Sequence, residues 1–218
     1  MLSKKDKAIW VNPKRGLLVV TKKDGHGNKQ EEEYDSLEGL ITNIKTVETE
    51  DFNKQPCKQL HVEIYNPISL ERYMLSTQMY KSFADGLLLA LANAPMSKEL
   101  KINAWSKPPE PGKKAPTFCS VYEKDTNRKI DWVEGIPNVE KHTIKNQTIV
   151  DRDEKNVFID NIITDLESKV LNNKTMIEEK KRESGYSTSS SFVDSDEDGY
   201  DENDDPSALA EDSDILDD

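Results

Sequence analysis

Apolar and polar positions alternate with a period of two along most of the first 133 residues, and the pattern is clearest over residues 59–65 (QLHVEIY). There Leu60, Val62 and Ile64 fall on one face and His61, Glu63 and Tyr65 on the other, as in a strand buried on one side. Residues 16–21 (GLLVVT) form a short apolar run, and residues 23–28 (KDGHGN) are rich in types that tolerate positive φ, so a first hairpin is predicted here. Residues 37–48 (LEGLITNIKTVE) are rich in β-branched side chains. They predict a long, curved strand, with Gly39 marking a bulge or bend. Residues 72–77 (RYMLST) add another strand. Tyr80, Phe83, Leu87, Leu91 and Ala94 then recur at helical spacing, predicting a helix that stops before Pro95, with Tyr80 and Phe83 in the core. Alternation resumes over residues 99–105 (ELKINAW) and 117–123 (TFCSVYE), followed by a turn at 125–127 and the run 128–133 (RKIDWV). Between them, residues 106–116 hold four prolines, a glycine and three lysines, which predicts a projecting loop.

The order β, β, β, α, β, β, with a long loop before the last strand, predicts a mainly β protein built on an OB-fold. That is a five-stranded barrel with a helix between its third and fourth strands, spanning residues 37–133. Residues 1–36 read as a basic arm or hairpin, which the pattern leaves either inside or outside the barrel. Residues 134–182 read as an extension, and 183–218 as a disordered linker and acidic tail. In the extension, apolar residues at 158, 159, 162, 163, 166 and 170 mark an amphipathic helix of about four turns that either folds back on the barrel or meets a partner.

The segments LEGLITNI (37–44), LHVEIY (60–65), LKINAW (100–105) and FCSVY (118–122), with the acidic end that follows, resemble the single-stranded DNA-binding proteins, most closely those encoded by bacteriophages. The resemblance covers residues 37–133 and the tail. It implies sequence-tolerant binding of single-stranded DNA in replication, recombination and repair, with the tail recruiting partner proteins. Those segments also fit the physics of such a site, because single strands need cations along their phosphates and aromatic faces under their bases. If Leu100, Ile102 and Ala104 face inward, Lys101 and Trp105 project outward; if Cys119 and Val121 face inward, Phe118 and Tyr122 project outward. Lys107, Lys113 and Lys114 rim this face, and Trp10, Lys14 and Arg15 either extend it or close the end of the barrel. Arg72 and Tyr73 sit on a strand of undetermined facing. Trp132 reads as packing and His61 as a surface histidine.

Charge changes the picture once it is divided along the chain. Of 42 acidic residues, 13 lie in 192–218, which has no Lys or Arg, leaving 29 acidic against 30 basic residues before it. Residues 1–30 hold eight basic and two acidic residues. A solvated polyanion can compete with nucleic acid for a basic groove in cis and attract partners with basic pockets, and Asp212, Asp214, Ile215, Leu216, Asp217 and Asp218 form the expected partner-docking end. Where many proteins of the family end in an apolar residue, this chain ends in two aspartates. Residues 194–205 place Asp at calcium-loop positions 1, 3 and 5, but Asp201 and Asp205 depart from that pattern, so no metal and no other cofactor is expected.

Cys57 and Cys119 read as reduced and structural, and His26, His61 and His142 have no ligand set beside them. Without a phosphate loop or a nucleophile elbow, a non-enzymatic binding protein is expected, cytoplasmic (the host cytoplasm if phage-encoded) and lacking a membrane span. Self-association is left open, as is RNA in place of DNA. The competing expectation is a protein-interaction module whose tail mimics nucleic acid.

Overall fold

The structure, a computed structural model, describes residues 7–51, 54–109, 115–144 and 147–183. The expected linker and acidic tail, including Asp212, Asp214, Ile215, Leu216, Asp217 and Asp218, lie outside the described residues. Among the described residues the protein is mainly β, with an open, curled sheet of eight strands and two helices. The strands are β1 (Ile9–Lys14), β2 (Leu17–Lys23), β3 (Lys29–Tyr34), β4 (Ser36–Glu50), β5 (Pro56–Tyr65), β6 (Arg72–Gln78), β7 (Leu100–Ser106) and β8 (Thr117–Glu123), with α1 (Ser82–Leu91) between β6 and β7. A separate hairpin, β9 (Glu140–Ile144) and β10 (Gln147–Asp151), leads into α2 (Asp153–Glu183).

The sheet order is β3-β2-β1-β6-β5-β4-β7-β8, so the expected five strands are eight. The three additional ones come from the N-terminal segment. β1 pairs with β6 in parallel, and its hairpin with β2 places Val11, Leu18 and Val20 in the core. Residues 128–133 form no strand; their ladder contact is a single bridge between Lys129 and Tyr122. No helix among the described residues is long and apolar enough to cross a membrane.

One long strand serves two halves of the sheet. Ser36–Gly39 of β4 pairs with β7, and from Leu40 onward β4 pairs with β5. Gly39 sits at the changeover, where a side-chain carbon would lie 2.4 Å from the carbonyl oxygen of Tyr65. The register shift expected near Gly39 falls a little further on, between Ile41 and Asn43.

The core lies on the inner face of the curl. Ile41, Ile44, Leu60, Val62, Ile64, Leu75, Leu100, Ile102 and Val121 share one core with α1, whose residues Phe83 to Leu91 are all buried. Tyr80 is only half-buried, and its hydroxyl donates to Asp160 Oδ1 at 2.9 Å. Helix α2 folds back on this body: Ile159, Ile162, Ile163, Leu166 and Val170 join the same core. It runs for 31 residues, well beyond the expected four turns. Its buried Asn173 amide donates to the Ile41 carbonyl at 2.8 Å and also to that of Met96. These two bonds tie α2 to β4 and to the chain just before β7, and a buried amide left without them would cost about 1–3 kcal/mol.

The second face of β5 is not solvent. His61 is 4 % exposed and Glu63 9 %, against the surface position expected for His61. Trp10 from β1 lies over His61, and Arg72 from β6 reaches Glu63 at 2.6 Å. Trp132, expected to be packed, is 53 % exposed. The two cysteines form no disulfide with each other; Cys119 is buried and Cys57 half-buried.

Candidate functional site

Strand periodicity builds the candidate site directly. In the antiparallel register of β7 and β8, Lys101 faces Tyr122, Asn103 faces Ser120 and Trp105 faces Phe118. Leu100, Ile102, Ala104, Cys119 and Val121 are buried, so these three pairs occupy the outer face. The Trp105 and Phe118 rings stack with centroids 4.7 Å apart and planes 25° from parallel. Trp105 Nε1–H donates to Ser120 Oγ at 3.1 Å, fixing the indole, and the Lys107 ammonium lies 5.9 Å from the centre of the Phe118 ring. Trp105 nevertheless stays 41 % exposed. A rigid aromatic surface held by its own neighbours loses little entropy when a flat ligand stacks on it, and a cation at its margin suits a ligand with anionic links.

The N-terminal hairpin reaches the same place. Arg15 (φ 54°) and Gly16 (φ 83°) make the β1–β2 turn, and the Gly16 N–H donates to Thr117 Oγ1 at 3.1 Å. A side chain at Gly16 would meet Ser106 Oγ at 2.7 Å, so glycine is what lets the turn close onto the end of β7 and the start of β8. Exposed Arg15 is thereby set beside the residues flanking the Trp105–Phe118 pair.

Other candidates are placed differently. Lys101 lies 3.7 Å from Glu38 on β4, so the Tyr122 end of the face is close to neutral. Lys14 pairs with Glu31 at 2.7 Å. Lys113 and Lys114 lie outside the described residues. Tyr73 is half-buried, its hydroxyl donating to Glu71 at 2.6 Å, and Arg72 is engaged with Glu63. Trp10 is separated from β7 and β8 by β6, β5 and β4 in the sheet order. A groove of about 600 Å³ is lined by Asn12, Lys14, Gln59, Ser76, Lys81 and Thr117 among others. Nothing in the sequence pattern marks this groove, because its walls come from the hairpin turn, the β4–β5 end and the start of α1.

Trp10 rests edge-on against His61, centroids 5.2 Å apart at 82°. Burial, with a smaller contribution from the Lys45 charge, pushes the imidazole down to about 4, from 6.5 in water, and its Nε2 has no hydrogen-bond partner. The unfolded chain therefore binds this proton more readily than the folded one. The stability contributed by neutral His61 is complete above pH 6.5 and is lost as pH falls towards 4. Denaturant titrations of wild type and His61→Gln from pH 7.5 downward should show the wild type losing the steeper share of its stability. Parallel pH slopes would mean that the imidazole is solvated.

Among the described residues no three His, Cys, Asp or Glu side chains are placed to hold a metal ion. None of the family models, curated proteins or solved structures compared with the chain matches it.

Proposed function

We propose that this protein binds single-stranded DNA with little sequence preference, stacking unpaired bases on the outer face of β7 and β8. The observation behind this reading is exposed Trp105 pre-stacked on half-buried Phe118, with Lys107 against the pair and Arg15 delivered to its flank. Every base has a π-face, so such a platform is sequence-tolerant, and cations at its margin neutralise phosphates. We read β4, β5, β6, α1, β7 and β8 as the OB-fold unit. Its support is the strand order around β4, which pairs with β5 on one side and β7 on the other, and the position of α1 between β6 and β7. In this reading the protein protects single strands in replication, recombination and repair. The acidic tail recruits partner proteins and restrains binding by competing with DNA.

The test is a fluorescence titration of the full chain with oligothymidine and with a duplex of equal length, at two salt concentrations. Salt-sensitive binding to the single strand with little to the duplex is expected. No binding would turn the reading to a protein-interaction module. Repeating the titration with an oligouridine separates DNA from RNA preference. Removing residues 192–218 should tighten binding most at low salt, because competition between a polyanionic tail and phosphates is screened as salt rises. Equal affinities at low salt would remove the tail from the regulation of binding.

A further inference from the structure

We infer that Trp132 is a second stacking platform for the same strand, met after the strand passes over the edge of β8; this rests on the single-strand reading above. All three tryptophans of the chain are at least 41 % exposed, and Trp132 is the most exposed at 53 %. An indole exposed to that degree leaves a ring face open on which a base can stack.

β8 is the last strand of the sheet, and the chain that follows it turns and runs back alongside. Glu123 N–H donates to the Arg128 carbonyl at 2.9 Å, Lys129 bridges Tyr122, and Ile130 N–H donates to the Val121 carbonyl at 2.8 Å. Two residues on, Trp132 draws level with Cys119. The point where a side chain of Gly86 would begin lies 3.5 Å from the Cys119 carbonyl oxygen and 3.6 Å from Trp132 Cζ2. Phe118, next to Cys119, points to the outer face and stacks on Trp105. The two aromatic surfaces therefore flank the same stretch of β8, one on its outer face and one around its edge.

Trp132 is also held still. Asn93 Nδ2 donates to the Asp131 carbonyl at 3.2 Å and Val133 N–H to the Leu89 carbonyl at 3.0 Å, anchoring the backbone on both sides of the ring. The size of the ligand calls for such a site. An OB-type fold covers about 4–16 nucleotides, and Trp105 and Phe118 are already stacked on each other, so together they offer faces to only one or two bases. The contact is with the face of a base, and stacking neutralises no phosphate, so it adds nothing to the salt dependence.

The full chain labelled with 5-fluorotryptophan gives one fluorine resonance each for Trp10, Trp105 and Trp132, assigned with single Trp→Phe variants. With an oligothymidine of about two nucleotides the Trp105 resonance should shift alone; with one of about 12, Trp132 should shift as well. Trp132→Ala should then weaken the longer oligomer roughly tenfold, leave the shorter one unaffected and keep the salt slope unchanged. A Trp132 resonance that stays still while Trp105 responds to the long oligomer overturns this inference and leaves the function standing. If neither resonance responds, the strand-binding reading itself falls.

Discussion

Replacing Trp105 with alanine is expected to weaken binding to unpaired oligothymidine by about 1–3 kcal/mol, roughly five- to 150-fold, the value of one base–aromatic stack. The loss should exceed that of a lone surface aromatic, because the substitution also removes the ring against which Phe118 is stacked and frees Ser120 from the indole. Folding should suffer little. Trp105 is 41 % exposed, and an aromatic pair at a surface contributes only about 0.5–1.5 kcal/mol. The rings act as a unit, so Phe118→Ala in the Trp105→Ala background should cost less than in wild type. Stacking neutralises no phosphate, and the slope of affinity against salt should therefore match wild type in Trp105→Ala and flatten in Lys107→Gln. Unchanged affinity in a folded Trp105→Ala protein would remove this face from the site.

Gly39→Ala should cost about 2–4 kcal/mol of stability in denaturant titrations. The added carbon would stand 2.4 Å from the Tyr65 carbonyl oxygen and 2.9 Å from Ile64 Cγ2. Neither can retreat cheaply. Ile64 is 1 % exposed in the core, and the Tyr65 backbone belongs to β5, paired with β4 on one side and β6 on the other. β4 would have to withdraw from β5 where it has just left β7, so the damage spreads to both halves of the sheet. Gly25→Ala is the control: nothing lies within 4 Å of its added carbon, and its stability should stay within about 0.5 kcal/mol of wild type. A Gly39→Ala protein as stable as that control would mean that the strands do not cross so closely.

Period-two alternation is legible where a strand buries one face, and that is why the outward setting of Trp105, Phe118 and Tyr122 follows from Leu100, Ile102 and Val121 alone. The same rule misplaces His61. Alternation separates two faces of β5 but does not say what covers the second, and here the cover comes from Trp10 and Arg72, distant in the chain. β3 escapes detection for the opposite reason. As an edge strand reading KQEEEY it has almost no buried side chain, hence no apolar rhythm to find. The second half of α2 is hidden in the same way, because past Val170 the buried residues among those described are a polar one, Asn173, and an apolar one, Ile177. Ion pairs such as Lys101 with Glu38 and Lys14 with Glu31 are set by strand register, so the neutralisation of two expected cations has no local signature.

The latch formed by Asn173 has a consequence for how the chain is made. The amide and the Ile41 carbonyl it satisfies are 132 residues apart, and Gly16 and Thr117 are 101 apart. At about 5–20 residues per second, a ribosome needs on the order of ten seconds to deliver α2 after β4 has emerged. Through that interval the apolar surface that Ile159, Ile162 and Leu166 will cover stands open, as does the parallel edge of β1 until β6 arrives. Contacts of such long range also slow the final search. Assembly of this sheet is thus timed by α2, and the nascent chain is most exposed to misassociation just before that helix docks.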